Sequence, residues 1–379
     1  MHPLRELTLE QLRQRTSMKW SEYAPDVLPL WVAEMDVMIA EPIARAMSDA
    51  IGSGDVGYPH GNGYAEAFAD FADDRWGWQS VDPTRTALVA DVMTGILEVL
   101  NLVSEPGDQV VVNPPVYPPF FGFIEHAGRE AVSAPLGGDG RLDLESLEAA
   151  FIKAGASGRS VTYMLCNPQN PTAVVHTRAE LAGIAALAET YRVRVVVDEI
   201  HGPLVPEGFV PYLSVPGTDD AFTVVSASKP WNLAGVKAAL IVAGADASED
   251  LKRLPEVVSH GPSHLGLIAH VAAYRAGQPW LDALNADLAD NRVLLEELLA
   301  RHLPAVPWEP PAAMYLTWLD CRQLGLGDDP AEAFLERGRV AVNSGLPFGS
   351  GAGHVRLNYA TTPEILTDAI ERMGRVVGV

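Results

Sequence analysis

The stretch Val161-Thr-Tyr-Met-Leu-Cys166, followed at once by Asn167-Pro-Gln-Asn170-Pro171-Thr172, decides how the rest of the chain is read. Six uncharged residues of this kind predict a strand buried on both faces, as in a parallel sheet. The polar, proline-punctuated segment after them predicts the turn at that strand's carboxyl end. Next, Thr177-Arg-Ala-Glu180 has the form of a capping box, in which the threonine accepts from the N3 amide and the glutamate reaches back to the cap. Leu181, Ile184, Leu187 and Tyr191 follow at roughly helical spacing, and 193–197 (VRVVV) predicts a second buried strand. Strand, capped helix and strand make a βαβ unit.

The pattern extends in both directions. Segments 109–113 (QVVVN) and 221–225 (AFTVV) predict further buried strands, and a strand-like 87–90 precedes the helix-like 96–103 (ILEVLNLV). Residues 46–280 therefore read as a large α/β domain, with a mostly parallel sheet flanked by helices. Residues 1–45 and 281–379 read as a smaller α+β domain with an N-terminal segment. In it, 281–303 predicts a long amphipathic helix with Leu284, Leu288, Leu295 and Leu298 near one side. A strand at 315–319, a helix near 330–339, a strand at 354–359 and a closing helix from Pro363 complete it.

The 379 residues suit about two domains. At 48% hydrophobic and 20% charged, the chain is that of a globular protein with a sizeable core. Lys+Arg is 27 and Asp+Glu is 49, a formal net charge of −22. Nucleic acid is a poor partner for such a chain, because binding a phosphate backbone needs a basic footprint. An anionic membrane surface is disfavoured likewise, whereas a small phosphorylated ligand is not. Cys166 and Cys321 form no CxxC pair and read as small buried hydrophobes in a reducing compartment. The amino end has no apolar leader core, and the run 238–245 (AALIVAGA) is far short of the ~20 residues of a membrane span. The expectation is a cytoplasmic protein. The ten histidines show no HExxH spacing, so no metal site is expected.

In open α/β sheets, ligands gather at the carboxyl ends of strands. Here those ends carry Pro114-Pro-Val-Tyr117, Asn167-Pro-Gln-Asn170, Asp198-Glu-Ile-His201 and Ser226-Ala-Ser228-Lys229. A lysine at a strand end between such neighbours is a candidate Schiff-base former. A carboxylate at another end suits a protonated pyridine nitrogen, an asparagine suits a ring phenolate, and a tyrosine suits a ring face. Together these are the parts of a pyridoxal 5′-phosphate site. Singly, Lys229 reads as a surface charge, 198–199 as a helix start or magnesium ligands, and 167–171 as a turn. Their ordered co-occurrence is the signal.

With Leu30-Trp-Val-Ala-Glu-Met-Asp36, Gly57-Tyr58-Pro59, Ser226-Ala-Ser-Lys-Pro-Trp-Asn-Leu-Ala-Gly235 and Val355-Arg-Leu-Asn358 added, the chain resembles the fold-type I pyridoxal-phosphate enzymes of the aspartate aminotransferase superfamily. Among them it is most similar to the cystathionine β-lyase (C–S lyase) branch of the MalY and PatB type. The resemblance runs from about residue 18 to the carboxyl end and implies the fold-type I transferase fold.

It also implies roles. Lys229 would carry the cofactor and shuttle the proton, and Asp198 would pair with the pyridine nitrogen. Asn170 would donate to the ring phenolate, near His201, and Tyr117 would stack on the ring. Ser226, with Ser228 in the same motif, would serve the phosphate together with the backbone amides of Thr94, Gly95 and Ile96 at a helix start. Lys237 falls where aminotransferases often place a phosphate-binding arginine. Tyr58 would reach the phosphate of the neighbouring subunit, which implies a homodimer with shared sites. Arg356 would clamp the substrate α-carboxylate, a task guanidinium geometry suits, with Trp31 and Ala33 on the substrate side. Lys229, Tyr58 and Tyr117 form the implied catalytic set.

The chain departs from the family pattern at Glu34, where Asp is common, at Ala173, where Gly is common, and at Pro230, where a hydroxyl residue is usual. Segment 349–353 reads as a flexible loop near Arg356. The implied activity is α,β-elimination from cystathionine or another cysteine S-conjugate, giving thiol, pyruvate and ammonia. An aminotransferase would share the same motifs. A regulatory protein that keeps the cofactor fold is a third reading, opposed by the intact Lys229, Asp198 and Arg356.

Overall fold

Val161–Cys166 is an interior strand of a seven-stranded sheet and is buried along its whole length. The computed structural model describes residues 1–378, and its contacts divide the chain into two units. The larger unit comprises Ile39–Gln169 and Val174–Gln278, and the smaller comprises Met1–Met38, Asn170–Ala173 and the chain from Pro279 onward. Residues 39–45 go with the larger unit because the helix Glu41–Ser53 packs on the helix His264–Ala276.

The sheet of the larger unit contains, in chain order, β1 (Thr86–Val89), β2 (Gln109–Val112), β3 (Glu130–Ser133), β4 (Val161–Cys166), β5 (Arg194–Asp198), β6 (Phe222–Val225) and β7 (Ala239–Ala243). They lie side by side in the order β3-β2-β4-β5-β6-β7-β1. The first six run the same way, and β7 is antiparallel to both its neighbours. Successive side chains of a strand point to opposite faces. Val110, Val112, Met164, Cys166 and Val196 accordingly join one core with the helices Val92–Val103 and Pro119–His126. Val111, Tyr163, Leu165, Val195 and Val197 join the other with Leu144–Gly155 and Arg178–Tyr191. Both faces are covered, so the strands are mostly apolar, and the Thr223 hydroxyl on β6 is satisfied by the Glu199 carboxylate. Each fully buried side chain of this size contributes about 1.5–3 kcal/mol of transfer free energy.

The capping box at Thr177 is formed, with the Glu180 amide donating to the threonine hydroxyl at 3.2 Å and the Thr177 amide donating to the glutamate at 2.7 Å. Gly95 lets the helix Val92–Val103 lie close on the sheet. A Cβ there would stand 2.8 Å from Val224 Cγ1 and 3.0 Å from Val89 Cγ2. The start of that helix is thereby held at the carboxyl end of β1.

The smaller unit has a three-stranded antiparallel sheet of β8 (Leu316–Asp320), β9 (Asn343–Ser344) and β10 (His354–Asn358), in the order β9-β10-β8. The helices Pro330–Gly338 and Pro363–Val377 belong to it, as does nearly all of Gln278–His302, which buries Leu284, Leu288, Leu295 and Leu298. Leu28–Pro29 pairs in parallel with Val340–Ala341 and ties the N-terminal segment to this unit.

The expectation of a flexible loop at 349–353 is corrected. The His354 amide donates to the Gly351 carbonyl, and the Gly353 amide donates to that of Asp328. A Cβ on Gly351 would stand 2.1 Å from the Gly345 oxygen, so the glycines here serve close backbone approach. Among the described residues, no helix is long and apolar enough to cross a membrane.

Candidate active site

Because β1 to β6 are mutually parallel, their carboxyl ends share one edge of the sheet, where such folds bind ligands. Asp198 ends β5 and is buried. Its Oδ1 accepts the Ile200 amide at 3.0 Å. Burial pushes its carboxyl up to about 6, against the opposing pull of that amide and of the Lys229 charge. A carboxylate desolvated to this degree favours a cationic partner.

Lys229 lies in the loop that joins β6 to β7, and buried groups shape that loop. The Leu233 amide donates to the Ser228 carbonyl at 2.7 Å. Trp231 is fully buried and donates its indole N–H to the Gly277 carbonyl at 3.0 Å. Tyr64 Oη lies 3.0 Å from His270 Nδ1, and His270 Nε2 lies 3.0 Å from the Val236 carbonyl. Burial pushes His270 down to about 4. A neutral ring there donates to the carbonyl and accepts from the tyrosine.

Glu199 lies beside Asp198 and accepts from Asn167 Nδ2 at 2.9 Å, the Tyr212 amide at 2.8 Å and Thr223 Oγ1 at 2.7 Å. These bonds tie the carboxyl ends of β4 and β5 to Thr223 within β6 and to the turn at Tyr212. Burial pushes the Glu199 carboxyl up to about 7. Tyr117 follows β2, half-buried, with its ring edge-on to Phe120 at 6.2 Å. His201 is buried at the start of the 3-10 turn Gly202–Leu204.

The anion-binding expectations need correction. Asp91 caps the helix Val92–Val103, and its Oδ1 accepts the Thr94 amide at 2.8 Å. The Gly95 amide donates to the Asp91 carbonyl at 2.9 Å. The Ile96 amide lies a full turn into the helix, where it bonds back along the chain. The amides left open at this helix start are those of Val92 and Met93. Lys237 Nζ lies 2.5 Å from Asp91 Oδ2. Burial pushes the Asp91 carboxyl up, but the bonds from Lys237 and Thr94 outweigh this and hold it below its ordinary value. Ser226 is buried, donating to the Ala238 carbonyl at 2.8 Å and accepting the Ser228 amide at 3.1 Å, so its hydroxyl closes the loop. Tyr58 is 87% exposed, with His260 as its ring neighbour at 6.2 Å. Within the one chain it does not join this group.

In the smaller unit, Arg356 on β10 is buried. Its Nη1 donates to Asn170 Oδ1 at 3.1 Å and its Nη2 to the Trp31 carbonyl at 3.3 Å. Its guanidinium lies over the Phe348 ring, 5.3 Å from the centroid. The Ala33 carbonyl accepts from the Tyr315 hydroxyl at 3.2 Å. Glu34 accepts from the Ser17 hydroxyl. Ala173 is buried at φ 58°, a left-handed position that explains why glycine is common there.

Sequence reasoning passed over Asp91, His270 and Phe348, and it quoted Glu199 and Trp231 within motifs without the contacts they make. Asp91 carried a readable signal, a capping residue before an apolar helical run. The others act through contacts distant in sequence. The donor set fits pyridoxal phosphate: a buried carboxylate for a ring nitrogen, a lysine whose charge that carboxylate feels, and a helix start with a lysine for a phosphate.

Comparison with known proteins agrees. The sequence profile of the aminotransferase class I and II family matches residues 25–373. A Mycobacterium tuberculosis protein named "Putative cystathionine beta-lyase" is 55% identical over 398 residues, covering 99% of this chain and 98% of the relative. Cystathionine beta-lyase PatB of Bacillus subtilis is 34% identical over 379 residues, covering 94% and 95%. A solved Corynebacterium diphtheriae structure, described as a "putative plp-dependent beta-cystathionase", matches with a TM-score of 0.92 at 35% identity, covering 100% of this chain and 99% of that one. The chain belongs to the aminotransferase class I and II family. Within it, the chain groups with PatB and with MalY of Escherichia coli.

Proposed function

We propose that this chain is a pyridoxal 5′-phosphate-dependent carbon–sulfur β-lyase that cleaves cystathionine or another cysteine S-conjugate to a thiol, pyruvate and ammonia. The observation that carries the reading is Asp198, a buried carboxylate that feels the charge of Lys229. The names of the relatives favour the lyase over the aminotransferase.

The cofactor supplies an electron sink for the charge left at Cα when its proton is removed. Asp198 holds a proton on the ring nitrogen. Lys229 would hold the cofactor through Nζ and, once the substrate amine has replaced it there, its freed amine would take the proton from Cα. Asn170 Nδ2 donates to the ring phenolate, beside His201, and Tyr117 covers the ring face. Lys237, the Ser228 hydroxyl and the amides of Val92 and Met93 hold the phosphate. Arg356 takes the substrate α-carboxylate, with Trp31 and Ala33 beside the substrate. A thiolate at Cβ leaves far more readily than hydroxide, so charge at Cα is discharged into C–S cleavage. Tyr58 serves the partner's phosphate in a cytoplasmic homodimer. The free, buried cysteines Cys166 and Cys321 suit a reducing compartment.

The test is product analysis. Purified enzyme is incubated with cystathionine, and separately with an amino acid and 2-oxoglutarate. Pyruvate, ammonia and free thiol from the first, with no keto acid required, support the lyase. Amino transfer with no thiol from any S-conjugate would make the chain an aminotransferase.

A further inference from the structure

Segment 30–36 of the smaller unit has almost no regular secondary structure, yet its backbone carbonyls are claimed one after another. The carbonyl of Leu30 accepts the Asn358 amide at 2.9 Å, that of Trp31 accepts Arg356, and that of Val32 accepts Asn358 Nδ2 at 2.8 Å. The Ala33 carbonyl accepts from Tyr315, and that of Glu34 accepts from both Asn358 Nδ2 at 2.7 Å and Lys19 Nζ at 3.1 Å. A buried irregular backbone needs such donors, because no ladder supplies them. The donors come from two sides. One is β8–β10 and its approach, and the other is the short helix Met18–Ser21.

The second side is anchored by a buried ion pair. Lys19 is the buried lysine among the described residues, and its Nζ lies 2.8 Å from Asp36 Oδ2. The other oxygen of Asp36 accepts the Trp20 indole N–H at 2.8 Å. Ser17, the residue before this helix, donates to the Glu34 carboxylate. Buried ion pairs add little net stability, because desolvation offsets their attraction. Their geometry is nonetheless demanding, which suits a positioning task. The same segment carries the Trp31 indole N–H, which is buried and makes no hydrogen bond among the described residues.

We propose that Lys19, Trp20 and Asp36 are positioning residues for substrate recognition. Their bonds fix segment 31–34, and that backbone in turn holds Arg356. The inference rests on the reading that Arg356 and Trp31 meet the substrate. It deepens that reading by assigning the substrate-carboxylate geometry to an ion pair on a different element.

The test uses the intact cofactor-loaded enzyme. Removing one partner alone would leave a buried charge, so the main variant is the double substitution Lys19→Met with Asp36→Leu, which replaces the pair with apolar groups of similar volume. Trp20→Phe serves as a mild second variant that keeps the ion pair and the ring. The readouts are KM and kcat for an S-conjugate, and the Kd of α-methylmethionine, which lacks the removable proton, by calorimetry. The double variant is expected to raise KM and Kd together by about tenfold and to change kcat less than about threefold. Trp20→Phe is expected to raise both by about threefold. A folded double variant, or a Trp20→Phe enzyme, with wild-type KM and Kd overturns the inference. Arg356→Lys separates the two levels. If it weakens Kd while the other variants do not, only the positioning role falls. If Arg356→Lys leaves Kd unchanged, the assignment of Arg356 itself is wrong.

Discussion

Arg356 Nη1 donates to Asn170 Oδ1 at 3.1 Å. An asparagine whose oxygen is turned to a guanidinium presents its NH2 group elsewhere as a donor. The pair thus couples the arginine proposed for the substrate carboxylate to the amide proposed for the ring phenolate. Arg356→Ala should raise KM on the order of 100-fold, the equivalent of a charge-assisted bidentate contact, and should lower kcat less. Steady-state kinetics with an S-conjugate checks this. An unchanged KM would remove Arg356 from the site.

Ala173 holds a backbone conformation that costs a non-glycine residue about 1–2 kcal/mol. Ala173→Gly should therefore stabilise the protein by about 1 kcal/mol, after the greater flexibility of unfolded glycine is subtracted. Chemical denaturation of the two proteins measures the difference. A less stable glycine variant would mean that the Cβ packing of this buried residue outweighs the strain.

Much of this architecture was legible in the sequence, and the reason is local. The strands of 109–113, 161–166 and 193–197 announce themselves because burial on both faces leaves runs dominated by apolar, mostly β-branched residues. The polar residues at their ends stand out for the same reason. Strand β7 was legible as an apolar run, but its reversed direction depends on how the Lys229 loop returns to the sheet. Ser226 illustrates a different limit. Its place in the motif suggested a phosphate contact, whereas its hydroxyl proton goes to Ala238. Phe348 beneath Arg356 and the Lys19–Asp36 pair join residues whose proximity only the folded chain creates.

Glu199 gives a pH prediction. Burial raises its carboxyl from 4.5 to about 7 in the folded protein. The folded state therefore binds this proton more tightly than the unfolded chain does. The resulting stabilisation is present below about 4.5 and is lost as pH rises through about 7. Glu199→Gln mimics the protonated form and keeps acceptors for Asn167 and Tyr212, while the Thr223 hydroxyl can turn to accept. The variant should match the wild type at pH ~5 and exceed it at pH ~8 by on the order of 1–2 kcal/mol. Equal stability at both pH values would show that burial does not raise this carboxyl.

Tyr58, exposed in the single chain, is proposed to act across a dimer. Sedimentation should show a dimer, and Tyr58→Phe should weaken cofactor retention. Mixing impaired Tyr58→Phe chains with inactive Lys229→Ala chains should raise activity above that of the Tyr58→Phe chains alone, through hybrid dimers that contain one complete site. A fully active monomer would contradict this.

Lys229 is the residue proposed to carry the cofactor. The chain has five lysines, at 19, 153, 229, 237 and 252. The direct measurement is borohydride reduction of the yellow, cofactor-loaded protein, followed by peptide mass mapping. Loss of the visible absorbance is expected, with a pyridoxyl-phosphate mass on the peptide containing Lys229 that is absent from the Lys229→Ala variant. The same mass on another lysine, or a protein that stays colourless after reconstitution, would contradict it.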